Sequence, residues 1–384
     1  MRAFIDTRPA VARIRTGVGN YTRQLVRRLP VVDPGTTYVG WPRSVLRLLG
    51  SSGGPDRAVA TETGQAGLKA RAKRMVVRRE LPRVEWIARF DVLFAPNFVP
   101  PPTRKPFVVT VHDLAFRLFP DTASSGTRDY LSRVEGALRR ASRVVVPSEQ
   151  TGRDLLDAYP VPAERVVTVP LGVDPGVFRP APETEVRAIR DRHGIEGPYL
   201  LFLGGIERRK NLPSMLRAYA SLDDDVRPGL VLAGPAPHWH PEGSSLLRSA
   251  LDELVQRVRQ RVVVTGWVPE RESVALLTGA EALVYVSRYE GFGLPVLEAM
   301  ACGTPVLTSA VSALPETAGD AALLVDPGDV DAIAHGMERI LTDGTLRDGL
   351  RAAGTARAAI FRWEETARRT AGILHEAHET GARH

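Results

Sequence analysis

Residues 282–309 read ALVYVSRYEGFGLPVLEAMACGTPVLTS. The run 283–286 is apolar without a break, as in a parallel strand buried on both faces. Glu290-Gly291-Phe292-Gly293 then makes a glycine-bounded loop, and Pro295 suits a first helical position, where the N–H it lacks would have no partner. Gly303-Thr304-Pro305 stops that helix early, and 306–309 resumes as a strand. A strand, a helix and a second strand in this order imply a parallel sheet.

The chemistry follows from the local geometry. Glycines let a backbone approach a ligand closely, and the free N–H groups of a first helical turn, with the helix dipole, suit an anion such as phosphate. Glu290 and Glu298 lie eight positions apart around that place. A carboxylate beside a phosphate repels it unless aimed at hydroxyls, so the pair reads as ligands of a sugar or ribose. Gly-x-Gly before a helix is also common in α/β folds, and a glutamate near a helix start complements the dipole. Spacing alone leaves both explanations open.

The run EGFGLPVLEAMACGTPV, 290–306, closely resembles the donor-site signature of retaining glycosyltransferases of the GT-B fold, family four. The family pattern is Glu, seven residues, Glu, and it is matched here without gaps. The resemblance implies an α/β, GT-B architecture of two doubly wound Rossmann-like domains facing a central cleft. It implies a nucleotide-sugar donor whose ribose is held by Glu298, with Glu290 facing the donor sugar. The amides around Phe292 and Gly293, in the loop that runs from Gly291 to Leu294, would face the diphosphate.

A chain of 384 residues suits two domains of roughly 150–200 residues each. Hydrophobic residues at 43% and charged residues at 25% are ordinary for a soluble globular protein. One cysteine, Cys302, excludes an internal disulfide and suits a reducing compartment. Among Ala299, Met300 and Ala301 it reads as a small core residue rather than a nucleophile. The net charge of +7 invites a nucleic-acid reading, but lysine occurs only at 69, 73, 105 and 210. An arginine bias of that kind reflects codon usage in a GC-rich genome, so no nucleic-acid partner is expected. The charge remains compatible with anionic lipid, phosphate or a diphospho-linked acceptor. No run of 18 apolar residues is present and the N-terminus starts as a strand, which predicts a cytoplasmic protein.

In chain order, 3–6 reads as the first strand, and Thr16-Gly17-Val18-Gly19 opens a helix to 29. The resembling transferases carry a glycine pair here, which places Gly17 and Gly19 against the donor diphosphate and acceptor. Between 40 and 89 the pattern is poor, with a loop at 50–54 and a basic helix at 68–79. That helix suits either the inner face of an anionic membrane or a solvated surface. Strands follow at 91–96 and 107–113, and His112 ends the second, where open α/β sheets place their ligand crevice. The resemblance extends to Val111-His112-Asp113, and its histidine faces the donor sugar; Asp113 suits a local backbone bond equally. A helix at 125–140, a strand at 143–148, a Ser148-capped helix to 159 and a strand at 165–169 complete the half. Proline-rich 175–182 reads as a linker, giving an acceptor domain 1–178, a donor domain 179–362 and a last helix, 363–384, that in relatives crosses back.

The second half repeats the alternation: strands at 199–203, 230–233 and 262–265, and helices from 213, at 245–259 and at 271–278. Further helices open at Asp329 and Thr345. Gly204-Gly205-Ile206-Glu207-Arg208-Arg209-Lys210-Asn211 joins strand to helix and resembles the family's second phosphate loop, whose basic pair neutralises the diphosphate. Many members carry an arginine immediately after the strand where this chain has Gly205, so Lys210 is the match, with Arg209 beside it. Trp267 either borders the nucleotide base or packs. Asp223-Asp224-Asp225 mimics a metal motif but follows a helix and reads as a solvated turn; no metal cofactor is expected. The implied activity is a retaining, metal-independent transfer of mannose or a similar hexose to a glycan, lipid-linked or small-molecule acceptor, with His112, Glu290 and Lys210 catalytic. The alternatives are a nucleotide-sugar epimerase of the same fold and a non-catalytic sugar-nucleotide-binding subunit.

Overall fold

The computed structural model describes residues 1–11, 17–42, 83–119, 133–234 and 241–381. They form two compact units. The described residues up to Leu114, those of 133–172 and those from Trp363 onward make the first; 115–119 and Val173–Arg362 make the second.

The first unit is one parallel sheet of β1 (Arg2–Ile5), β2 (Thr37–Gly40), β3 (Val92–Ala95), β4 (Phe107–Thr110), β5 (Arg143–Val146) and β6 (Val166–Thr168), in the order β2-β1-β3-β4-β5-β6. Its central strands are apolar on both faces, Val92 to Ala95 and Phe107 to Thr110 being wholly buried, because helices cover each side. Phe4 is in register with Leu93, and Leu93 with Phe107. The helix Gly17–Val32 sends Tyr21, Leu25 and Leu29 inward at helical spacing. Against it packs the last helix, Trp363–Gly381, with the rings of Trp363 and Tyr21 6.2 Å apart and Arg28 Nε 2.6 Å from Glu364. Ser148 caps the helix Glu149–Ala158 through its Oγ, which accepts from the Thr151 N–H at 3.0 Å.

The sequence reading passed over β2, whose apolar run is only two residues, Tyr38 and Val39, and which forms by pairing with β1. The expected loop at 50–54, the basic stretch 68–79 and the first part of the helix expected at 125–140 lie outside the described residues; its end is the helix Val134–Arg140.

The second unit's sheet is β7 (Tyr199–Leu203), β8 (Gly229–Ala233), β9 (Val262–Gly266), β10 (Ala282–Tyr285), β11 (Val306–Ser309) and β12 (Leu323–Val325), again all parallel, in the order β12-β11-β10-β7-β8-β9. Leu200, Phe202, Leu230, Leu232 and Val284 meet Met215 and Tyr219 of the helix Leu212–Ser221 and Ile333 and Met337 of Val330–Thr342 in one core. Two short elements, β12 and the helix Leu314–Ala318, had no sequence pattern long enough to show them. The helix expected at 245–259 is two, Pro241–Asp252 and Gln256–Arg259. The first tightens at its end, where Leu254 N bonds three residues back to Leu251, and Val255 is extended before the second begins. No helix among the described residues is long and apolar enough to cross a membrane.

In each sheet the order reverses once, between β1 and β3 and between β7 and β10. Successive crossovers leave such a point on opposite faces, so the loops after its two strands part and open a crevice at the carboxyl ends.

Candidate active site

At the second unit's reversal, the loop after β7 carries Arg209 and Lys210 and the loop after β10 carries Glu290. Lys210 Nζ lies 2.5 Å from Glu290 Oε1, and Arg209 donates to Glu290 Oε2 at 2.8 Å. The Tyr285 hydroxyl, at the end of β10, donates to Glu290 Oε1 at 2.9 Å and accepts from Lys210 Nζ. Arg209 Nε in turn pairs with Glu207 at 2.8 Å. The two loops are also stitched through main chain. Arg288 N donates to the Arg209 carbonyl at 2.7 Å, and the Asn211 amide donates to the carbonyls of Val286 and Pro327 at 3.1 and 2.7 Å.

Lys210 and Glu290 are each only 7% exposed, so their charges are tolerated because they face one another. Burial opposes ionisation of Glu290, but the Arg209 guanidinium and the Lys210 ammonium together outweigh it and hold the carboxyl down at about 2. Burial also pulls the Lys210 ammonium below its ordinary value, with Glu290 opposing. The Tyr285 phenol, buried beside that carboxylate, is raised and stays protonated.

Beyond Glu290 the helix Leu294–Ala301 begins, with Pro295 in its first turn. Gly291 and Phe292 are buried in the loop before it. Gly293 sits at φ +105°, a conformation that requires glycine, and a Cβ there would come 2.7 Å from Leu314 Cδ2, whose side chain would have to give way. The N–H groups of Phe292 and Gly293 donate to no described residue. With the dipole of the helix behind them they suit an anion. Glu298 is partly buried on this helix, and no described residue donates to its carboxylate. Burial first, and the charge of Glu270 second, push its carboxyl up to about 7.

The structure thus brings Arg209, Lys210, Glu290, Gly291, Phe292, Gly293, Leu294 and Glu298 together in the second unit, and places Gly17, Gly19 and His112 in the first. Gly17 opens its helix with nothing within 4 Å of where a Cβ would stand, and Gly19 is buried one position into the turn after Val18. His112 follows β4, and its Nε2 donates to the Pro96 carbonyl at 2.8 Å, which leaves Nδ1 as an acceptor. Burial lowers the imidazole pKa, so the ring is neutral. It stands edge-on to Tyr21, 4.8 Å between ring centres.

The sequence alone assigns no individual role to Tyr285, Asn211 or Glu207. Asn211 offered the clearest signal, since an asparagine after a basic run tolerates the left-handed backbone it adopts here, φ +60°. Trp267 is 56% exposed and is not a core residue. Asp224 lies in an exposed turn and pairs with Arg227 and with Arg257. No group of three or more His, Cys, Asp or Glu among the described residues is arranged to hold a metal ion. Cys302 is buried, which pushes its thiol up to about 12 and makes it a packing residue.

Comparison with known proteins identifies the family. Residues 185–357 match the family model described as Glycosyl transferases group 1, and residues 15–177 match Glycosyltransferase Family 4. The chain is 30% identical over 371 residues to the O-antigen chain mannosyltransferase B of Escherichia coli, spanning 92% of this chain and 94% of that one. Among solved structures, sucrose-phosphate synthase from Thermosynechococcus elongatus superposes with a TM-score of 0.74 at 21% identity over 99% of both chains. Anabaena HepE in complex with UDP and glucose gives 0.71 at 17% identity over 98% of this chain and 99% of that one. The two structural likenesses show the GT-B fold, and the resemblance read from 290–306 holds over nearly the whole length. The chain belongs to the group 1 glycosyltransferases of family four and is a glycosyl-transferring enzyme.

Proposed function

We propose that the chain is a retaining hexosyltransferase, moving mannose or a similar hexose from a nucleoside-diphosphate sugar to a glycan, lipid-linked or small-molecule acceptor. The observation that carries this reading is the Arg209, Lys210 and Glu290 cluster at the reversal between β7 and β10, beside the amides of Phe292 and Gly293, which donate to no described residue. Two cations and a helix N-terminus suit a diphosphate, and two carboxylates beside them suit the hydroxyls of the sugars it joins. The mannosyltransferase relative and the UDP and glucose held by HepE support the same class of donor. Residues 1–178 are assigned to the acceptor and 179–362 to the donor.

Lys210 has three N–H donors and uses two, on Glu290 and Tyr285, which leaves one for a phosphate oxygen. As the anomeric C–O bond to the diphosphate breaks, negative charge grows on the leaving oxygen, where Lys210, Arg209 and the loop amides lower its energy most. The acceptor oxygen bonds to the anomeric carbon on the same face, and its proton passes to the departing phosphate. Glu290 is held by two cations and serves the sugar hydroxyls rather than acting as a covalent nucleophile. Glu298 takes the ribose, and the resemblance further assigns donor roles to neutral His112, Gly17 and Gly19. With the cations supplying the charge, no divalent metal is needed.

The test is thermal stabilisation by guanosine, uridine, adenosine and thymidine diphosphates and their hexose conjugates, since a ligand of the folded state raises the melting point. Transfer is then assayed with the conjugate that binds, and the anomeric configuration of the product read by NMR. Preference for one base and a product with the donor's configuration are expected. Donor consumed without acceptor identifies an epimerase, binding without turnover a non-catalytic subunit, and an inverted product overturns the retaining mechanism.

A further inference from the structure

Two non-glycine residues among those described have a left-handed backbone, Asn211 at φ +60° and Ser312 at φ +61°. Side chains other than asparagine and aspartate rarely adopt it, and such outliers persist where the surroundings impose them. Both stand at the Arg209, Lys210 and Glu290 cluster. Asn211 follows Lys210 directly, whereas Ser312 comes from a separate loop, between β11 and the helix Leu314–Ala318.

The Ser312 Oγ accepts from the Glu290 N–H at 2.9 Å and donates to the Glu290 carbonyl at 2.5 Å. One hydroxyl therefore satisfies both main-chain polar groups of Glu290, using its one proton and one of its lone pairs. A second, longer bond reaches the same carbonyl from Ala313 N at 3.4 Å. Ser312 does not serve the helix after it, whose N-cap is Ala313 and which has no side-chain cap.

We propose that Ser312 is a positioning residue for glycosyl transfer. From its strained conformation it grips the Glu290 main chain and so fixes the carboxylate that bridges Arg209 and Lys210, setting where the two cations meet the donor diphosphate. The inference rests on the donor-site reading of Glu290.

Three variants test it: Ser312→Gly, which removes the hydroxyl and relieves the backbone; Ser312→Ala, which removes the hydroxyl and keeps the strain; and Glu290→Gln. For both serine variants kcat should fall between about tenfold and a hundredfold, as small displacements of catalytic groups cost. The acceptor KM should not move, and Ser312→Gly should melt above Ser312→Ala, since both lose the hydroxyl and only the alanine keeps the strain. A structural role predicts instead that activity tracks stability, so unaltered kcat in Ser312→Gly overturns the proposal. If that occurs while Glu290→Gln is inactive, only the role of Ser312 falls. Full turnover by Glu290→Gln removes the donor-site reading itself, and this proposal with it.

Discussion

Lys210 Nζ and Glu290 Oε1 stand 2.5 Å apart although 80 residues separate them in the chain. Each is buried, so removing the Glu290 charge strands the Lys210 ammonium away from water, at a cost of about 3–5 kcal/mol. Glu290→Gln should therefore lower stability substantially at neutral pH. The Glu290 carboxyl is held at about 2 in the folded state against an ordinary value of 4.5. Folding thus favours its ionised form, a contribution present above about 4.5 and lost as pH falls toward 2. Chemical denaturation across that window should show the difference between the two proteins shrinking as pH drops. A gap independent of pH would mean that the ion pair is not what the substitution breaks.

Much of this cluster was legible locally and its assembly was not. The strand at 306–309, the capping role of Ser148 and a basic run joining strand to helix at 208–210 follow from runs of a few residues. That Glu290 pairs with those cations depends on β7 and β10 becoming neighbours, which no local pattern records. Tyr285 reads as one more apolar position in a buried strand, and no pattern singles out Ser312, since their hydroxyls find partners only after folding. The short strands β2 and β12 are defined by the strands they pair with.

Glu298 should behave oppositely to Glu290. Its carboxyl is pushed up to about 7 in the folded state, so between an ordinary 4.5 and about 7 the folded protein holds a proton that the unfolded chain releases. Stability then falls as pH rises through that window. Glu298→Gln should melt higher than the unaltered protein above about pH 7, and the two should converge below about pH 4.5. If ribose hydroxyls donate to the ionised carboxylate, donor affinity in the unaltered protein should rise across neutral pH by up to about tenfold per unit. The variant should bind donor weakly and without that slope. Calorimetry with a nucleotide sugar at two pH values decides both points.

Lys210→Ala should leave the fold largely in place, because Arg209 and Tyr285 still satisfy the Glu290 carboxylate. Donor binding should weaken, and kcat should fall further than KM rises, since the ammonium is worth most as charge grows on the leaving phosphate. Turnover of the unaltered enzyme should persist in excess chelator. Activity abolished by the chelator and restored by magnesium would show that Lys210 and Arg209 do not carry that charge unaided.

Two glycines of the proposed donor site should separate conformation from ligand approach. Gly293 is held at φ +105° with Leu314 where a Cβ would lie, so Gly293→Ala should destabilise the second unit whether or not donor is present. Gly17 has ordinary helical backbone and open space around it. Alanine there should fold as well or better, by up to about 1 kcal/mol, because glycine in a helix sacrifices more freedom on ordering. If a donor phosphate approaches that backbone, the added methyl occupies the space it needs, and Gly17→Ala should combine a raised melting point with a raised donor KM. A raised melting point with unchanged KM would make Gly17 a helix start and nothing more.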